Sequence, residues 1–566
     1  MNGALLLSLC GLLFLLAYTV YGRLIERILG VDPGRPTPAH TLKDGIDYVP
    51  THPAILFGHH FASIAGAGPI VGPVLAAQYG WMAVALWVVL GCIFIGAAHD
   101  LATLFLSIRH QGRSIGTVIE SLMGYPGRLL FLGFCWFALV LVVAEFTRIV
   151  AETFVGTPAV ATASLLFIVL AVLFGQVLNR GLMSITRASF LFVPLTFACV
   201  YLGALMPLDL TQALGCGPRA ASRVWTVLLL AYCFAASVLP VWMLLQPRDY
   251  LNSFLLYAMM LLGVAGIFVA APHLRLDAVT GWRALNPVTH GRDPMLPLLF
   301  VTVACGACSG FHALVASGTT AKQVENERHI RPIAYGGMLV EGVLAIIALI
   351  AVGALTQTEY GAALREHGAV RLFAGGVAGF TGKLGLPHQT GTVFISLALA
   401  AFLMTTLDTA TRLARFTWQE LFLPRESREG AAAPASRLRA FGANRYTATL
   451  LAVLAAGWLL LGGGAASLWP VFASSNQLLA ALTLLGCVLW LRRERRSARL
   501  FLLPMLFMIV TSGWAVGTLF IRNLRLWSGR GFQAGGVMTL ATAVLILMAA
   551  SLVVWGAVSL RRSSHR

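Results

Sequence analysis

The chain has 566 residues, of which 58% are hydrophobic and 11% charged, with a mean hydropathy of +0.82. A soluble domain carries roughly 25% charged residues, so this composition excludes a soluble protein. Long continuous apolar runs exclude a β-barrel, whose strands are short and alternating. The net charge of +18, from 40 Lys and Arg against 22 Asp and Glu, reads as orienting charge in membrane loops and not as a nucleic-acid footprint.

In chain order the apolar runs cover residues 3–21, 54–78, 81–108, 128–154, 159–178, 190–206, 224–245, 253–271, 296–318, 333–355, 392–412, 448–461, 468–491, 500–521 and 537–560. The expected fold is therefore an all-α polytopic membrane protein with about 15 transmembrane helices. The first run lacks a basic segment before it, so it reads as a retained span, not a signal peptide. With the first loop inside, 28 Lys and Arg fall in inside segments and 11 in outside segments. That bias predicts an outside N-terminus and a cytoplasmic C-terminus.

The expected organisation is an extra N-terminal transmembrane helix over 1–22, a first inverted repeat over 54–208 and a second over 222–416. A cytoplasmic linker follows over 424–446, then four C-terminal transmembrane helices over 447–566. The scattered cysteines, including the Cys305–Cys308 pair, read as small residues in packed helices.

The run 54–78 carries the most informative stretch. Gly66, Ala67, Gly68 and Pro69 interrupt it near mid-membrane, just after His59 and His60. Proline removes a donor and clashes with the preceding turn, and unpaired backbone is tolerated in a membrane only beside protein or water. The break is therefore expected to line a substrate site, offering N–H groups to a carboxylate and carbonyls to a cation or proton carrier. A matching interruption is expected five spans later, at Ala235 to Pro240, which makes a 5+5 inverted repeat. Ser309 and His312, three apart in the ninth run, are further candidates for the cavity. A cation position, used by sodium, a proton-bearing group or water, is expected between the carbonyls near Ala62 and Ala65 and the Ser309–His312 stretch.

These segments resemble the carbon starvation protein A (CstA) family of bacterial inner-membrane transporters. The resemblance rests on 58–81, on GAAHDLATLFLSIRHQGRS at 96–114 and on 240–250. It also rests on ACGACSGFHALVASGTTAKQ at 304–323, TTLDTATR at 405–412 and WPVFASSNQLLA at 469–480. It implies uptake of peptides or pyruvate, proton-driven in the pyruvate carriers, on a LeuT-like 5+5 core.

Other ionisable residues stand inside apolar runs, where an isolated charge costs roughly 2.5–3.5 kcal/mol on insertion scales. Glu145, Arg148 and Glu152 share one helical face and are expected to form an ion-pair network or gate. Asp408 and Arg412, four apart, are expected to pair with each other. His99 and Asp100 are expected at an intracellular gate. His59, His60, Glu341 and Ser309 are the candidates for ion or proton coupling; histidine titrates in the physiological range.

The leading function is a secondary transporter importing small carboxylate-bearing nutrients by proton symport with alternating access. The alternatives are a membrane nutrient sensor and an intramembrane metalloenzyme using His59, His60, His99 and Asp100. No HExxH and no GxxxxGK[ST] motif occurs, so no enzyme activity, metal or cofactor is expected. The expected partners are protons, a peptide or pyruvate, and the lipid bilayer.

Overall fold

A long apolar segment in a bilayer satisfies its own backbone only as a helix, and the structure is helical nearly throughout. It is a computed structural model describing residues 1–44, 47–240, 243–422, 441–462 and 467–564. The first helices are α1 (Gly3–Thr19), α2 (Tyr21–Leu29) and the single turn α3 (Pro38–Thr41), followed by α4 (Pro53–Ile64), α5 (Gly68–Ala76), α6 (Trp81–Gly91) and α7 (Ala97–Arg109). Next come α8 (Ile115–Gly156), α9 (Pro158–Asn179), α10 (Ile185–Leu205), the turn α11 (Leu210–Ala213), α12 (Pro218–Val238) and α13 (Leu245–Ala270). A two-stranded antiparallel ribbon, β1 (Arg283–Leu285) with β2 (Arg292–Pro294), leads into α14 (Met295–Thr302) and α15 (Phe311–Gly318). The chain continues with α16 (Gly336–Gly353), α17 (Gln357–Thr381), α18 (His388–Leu421) and α19 (Arg445–Leu461). It closes with α20 (Leu468–Arg493), α21 (Arg499–Arg530) and α22 (Phe532–Ser564).

Twelve helical segments among the described residues are long and apolar enough to cross a membrane, or 13 if α4 and α5 form one bent span. The difference from the expected fifteen has a local cause. The run 296–318 is divided into two eight-residue helices, and α19, with 17 residues, is a short apolar helix. The stretch 235–250 is not a mid-membrane interruption. α12 is itself long enough to span and ends at Val238, and α13, which starts at Leu245, is a second full span. Residues 423–440, which hold most of the expected linker, lie outside the described residues.

Backbone and arginine side-chain contacts sort the helix ends onto two faces. On the first, Gly3 donates to Pro272 O, Trp81 to Asp277 O and Arg275 to Gly353 O. On the second, Arg109 reaches Gly30 O and Glu327, Arg128 binds Glu120 and the Glu420 carbonyl, and Arg493 donates to Ser121 O. Apolar side chains such as Leu12, Phe190 and Leu503 point outward, 63–81% exposed; on a membrane protein that surface faces lipid. α20 is buried on every side.

Local irregularities come in pairs. α4 and α5 meet at a 45° bend, and α14 and α15 are separated by a 3₁₀ turn and an irregular stretch. Wide π turns sit at Cys92–Gly96 before α7 and at Arg331–Tyr335 before α16. α8 kinks at Gly124 (φ 77°, ψ 176°) and α17 at Gly368 (φ 72°, ψ 170°), positive-φ positions that L side chains adopt at a cost.

Candidate functional site

The first break follows from its sequence. α4 ends where Ala65 leaves helical geometry (φ −73°, ψ 64°), and Gly66 N donates back to Ile64 O at 2.7 Å. Pro69 in the first turn of α5 needs no N–H partner there. Gly66 and Gly68, expected to approach a ligand, are packed against protein. A Cβ on Gly66 would stand 2.8 Å from Thr406 Oγ1, and one on Gly68 would stand 2.5 Å from Cys305. Ala67 and Pro69 are buried in the same turn. Between the breaks the free volume is about 10 Å³, lined by residues including Gly66, Gly68, Phe146, Cys305, Thr406 and Phe472. One water needs at least about that much, so this centre is closed.

The second break is satisfied mainly by α20. Asn476 accepts from Phe311 N at 2.9 Å through its side chain and from Gly310 N at 3.1 Å through its backbone, and donates to Ser309 Oγ at 3.1 Å. Gln477 donates to Phe300 O at 2.7 Å, as Trp87 of α6 does at 3.0 Å, and Trp469 donates to Thr302 O at 3.2 Å. The polar side chains of this apolar helix thus replace the ladder that the break removes.

Beside the breaks lies a chain of titratable side chains with no solvent exposure. Asp100 accepts both His99 Nδ1, at 2.8 Å, and His312 Nδ1, at 2.7 Å, on its two carboxylate oxygens. The other ring nitrogen of His312 lies 3.3 Å from Glu341 Oε2. His60 is separate: its Nδ1 meets Thr320 Oγ1 at 2.9 Å, joining α4 to the chain after α15. His59 is partly exposed. His99 and Asp100 are in the interior, two turns or more before the end of α7. Each π turn lies shortly upstream of an acid of this chain, the first before Asp100 and the second before Glu341.

A second buried network joins Arg248 with Asp408, Tyr232 and Asp249; Tyr232 donates to Asp408 Oδ2 at 2.7 Å, and Asn252 donates to Thr405 at 3.1 Å. This corrects the expected Asp408–Arg412 pair. Asp408 is taken by Arg248, and Arg412 instead caps the end of α12, donating to Ala236 O and Leu239 O. Free carbonyls at a helix end attract cations, and Arg415 binds Ser237 O in the same way. Glu145, Arg148 and Glu152 do come together, with Arg148 2.5 Å from Glu145 and 2.7 Å from Glu152.

Two of the three, Arg148 and Glu152, line an open vestibule of about 870 Å³ on the first face, while Glu145 is fully buried behind them. Phe146 and Phe472, which both line the closed centre, meet edge to face at 5.5 Å. The residues that sequence reasoning missed are Arg248, Tyr232, Thr406, Asn476 and Gln477. An Arg-Asp pair at 248–249 and an Asn-Gln pair inside an apolar run were the available signals. Among the described residues no group of three His, Cys, Asp or Glu side chains is arranged to hold a metal.

Comparison with known proteins matches the sequence to a family. A family model described as Carbon starvation protein CstA matches residues 2–366 and 361–515. The peptide transporter CstA of Bacillus subtilis (strain 168) is 33% identical over 97% of this chain and 96% of its own. The peptide transporter CstA of Escherichia coli (strain K12) is 34% identical over 90% and 80%. The pyruvate/proton symporter BtsT of the same organism is 31% identical over 89% and 80%. Among solved structures, a manganese transporter of Eremococcus coleocola aligns over 92% of this chain and 99% of its own, at 13% identity and a TM-score of 0.43.

Proposed function

The chain belongs to the carbon starvation protein CstA family, and from that premise we propose that it is a secondary active transporter importing small carboxylate-bearing nutrients, a peptide or pyruvate, by proton symport. The observation that carries the coupling is the buried chain His99–Asp100–His312–Glu341 beside the two breaks. Ionisable groups inside a membrane are costly and pair along proton or ion pathways. Here two acids share one histidine across three different helices, so adding or removing one proton changes the attraction between α7, α15 and α16. His60, His312 and Ser309 sit at the breaks, and the Gly66–Pro69 turn is the substrate site once the centre opens.

The architecture we propose is a LeuT-like 5+5 inverted repeat, with boundaries that follow the two helix breaks and the two π turns. The first repeat runs over 53–270 and the second over 295–493, in place of 54–208 and 222–416. α4–α5 then corresponds to α14–α15, α6–α7 to α16, α8 to α18, α12 to α19 and α13 to α20. The α9–α10 hairpin and α17 are additions. The broken helix of the first repeat enters from the second face and that of the second from the first, which gives the inversion. The second face is cytoplasmic, following the excess of Lys and Arg there, in a bacterial inner membrane. Opening of the Phe146–Phe472 contact admits substrate from the first face.

The driving force depends on substrate charge. One proton carried with one monoanion moves no net charge, so only the pH gradient acts, at about 1.4 kcal/mol per unit. A zwitterionic peptide with one proton also feels the voltage, about 2.3 kcal/mol per 100 mV. The test is uptake in proteoliposomes with pH, voltage and sodium gradients imposed separately. The pH gradient should drive uptake; sodium-driven uptake indifferent to pH would reject the coupling.

A further inference from the structure

We propose that the vestibule on the first face is an anion-collecting antechamber, so that the substrate arrives as a small net-anionic carboxylate and not as a neutral zwitterion. This rests on the transport reading above and narrows its substrate class. Six arginines and three acids line the vestibule's volume of about 870 Å³. Arg148 is occupied by Glu145 and Glu152, and Arg522 lies 3.4 Å from Asp293. Arg219, Arg223, Arg365 and Arg371 have no carboxylate within 4.0 Å among the described residues.

Their positions run against local preference. Arg219 and Arg223 stand in the first turns of α12, which contains no acid there, and Arg371 stands just after the Gly368 kink that restarts α17. Cations at helix starts are disfavoured by the helix dipole, and these three also repel one another across one concavity. A bound carboxylate relieves both effects. A concave wall of one sign focuses its field and raises the local concentration of counter-ions, more strongly at low salt. Arg522 comes from α21, outside both proposed repeats, so a C-terminal helix contributes directly to the entry.

The probes are pyruvate and dialanine, titrated calorimetrically into the purified full-length protein, a readout independent of transport. The variants are Arg219→Gln/Arg223→Gln and Arg365→Gln/Arg371→Gln, with the corresponding lysine replacements as charge-preserving controls. The expected result at about 20 mM ionic strength is a Kd for pyruvate raised at least about fivefold by each glutamine pair and restored by lysine. At about 0.5 M salt the difference should shrink below about twofold, and dialanine should shift by less than about twofold throughout. Equal pyruvate affinity in wild type and glutamine variants at low salt would overturn the proposal, as would an equal loss for dialanine. Salt-sensitive binding of pyruvate without uptake in proteoliposomes would instead contradict the transport reading and leave the antechamber standing.

Discussion

Asn476 shows how much one side chain can carry when backbone is broken inside a membrane. Its amide oxygen holds Phe311 N–H, and its NH₂ reaches Ser309 and Cys305. Asn476→Ala leaves a buried donor unpaired, a cost of about 1–3 kcal/mol, and a lowered thermal midpoint in detergent should report it. Asn476→Asp keeps the acceptor but adds a buried charge, so it should be no more stable than alanine. Phe472 has a different task. Phe472→Ala removes one half of the ring contact over the centre, and substrate exchange across the membrane should accelerate while gradient-driven accumulation falls. Accumulation at the wild-type level would remove the gate from Phe472. At this scale the sequence marked Glu145, Arg148, Glu152, His312 and Glu341 as charges out of place. It did not show that Asp100 lies between two histidines, because the second of them, His312, reaches it from 212 positions away in the chain. Local spacing also misled: Asp408 and Arg412 satisfy the i, i+4 rule, yet each has a stronger partner on α12 or α13.

At the scale of elements, the glycine-proline interruption at 66–69 was legible because proline and glycine act locally. The second break was not, since ACGACSG contains no proline and its geometry depends on Asn476 and Gln477. α17 escaped hydropathy altogether: it carries Arg365, Glu366 and His367 at its kink and packs at the first face. Its start was nonetheless written in a capping box, with Thr356 and Glu359 exchanging side-chain and backbone hydrogen bonds at 3.3 and 2.8 Å. Those bonds hold the exposed Glu359 carboxyl below the ordinary glutamate range. A depressed carboxyl contributes stability above its unfolded value and loses it as pH falls through the folded one. Glu359→Gln should therefore lower the thermal midpoint at neutral pH, with the gap to wild type closing in acid. At Gly368 a Cβ would meet nothing, so only its positive φ opposes substitution. Gly368→Ala should cost about 1–3 kcal/mol; an unchanged midpoint would show that the kink tolerates an L residue.

For the whole molecule, the apolar pattern gave the membrane class, with 12 or 13 spans among the described residues in place of the expected fifteen. The orientation proposed from charge has a natural reporter. Cys216 is the one cysteine of nine that is not fully buried, and it lies just before α12 on the first face. A membrane-impermeant maleimide applied to right-side-out vesicles should label wild type and not Cys216→Ser. Labelling only after the vesicles are opened would reverse the orientation. The end of α12 at Val238 was less legible, because a full span closing before a proline and a broken span look alike in hydropathy.

The central claim is that substrate and proton move together through the Asp100-centred chain. The most direct measurement is the internal pH of proteoliposomes, read by a trapped dye, when substrate is added outside without any imposed gradient. Wild type should acidify the lumen as substrate enters. Asp100→Asn and Glu341→Gln should abolish that acidification, with substrate-for-substrate exchange retained in at least one of them. Robust substrate entry without acidification in wild type, or undiminished acidification in both variants, would contradict the account.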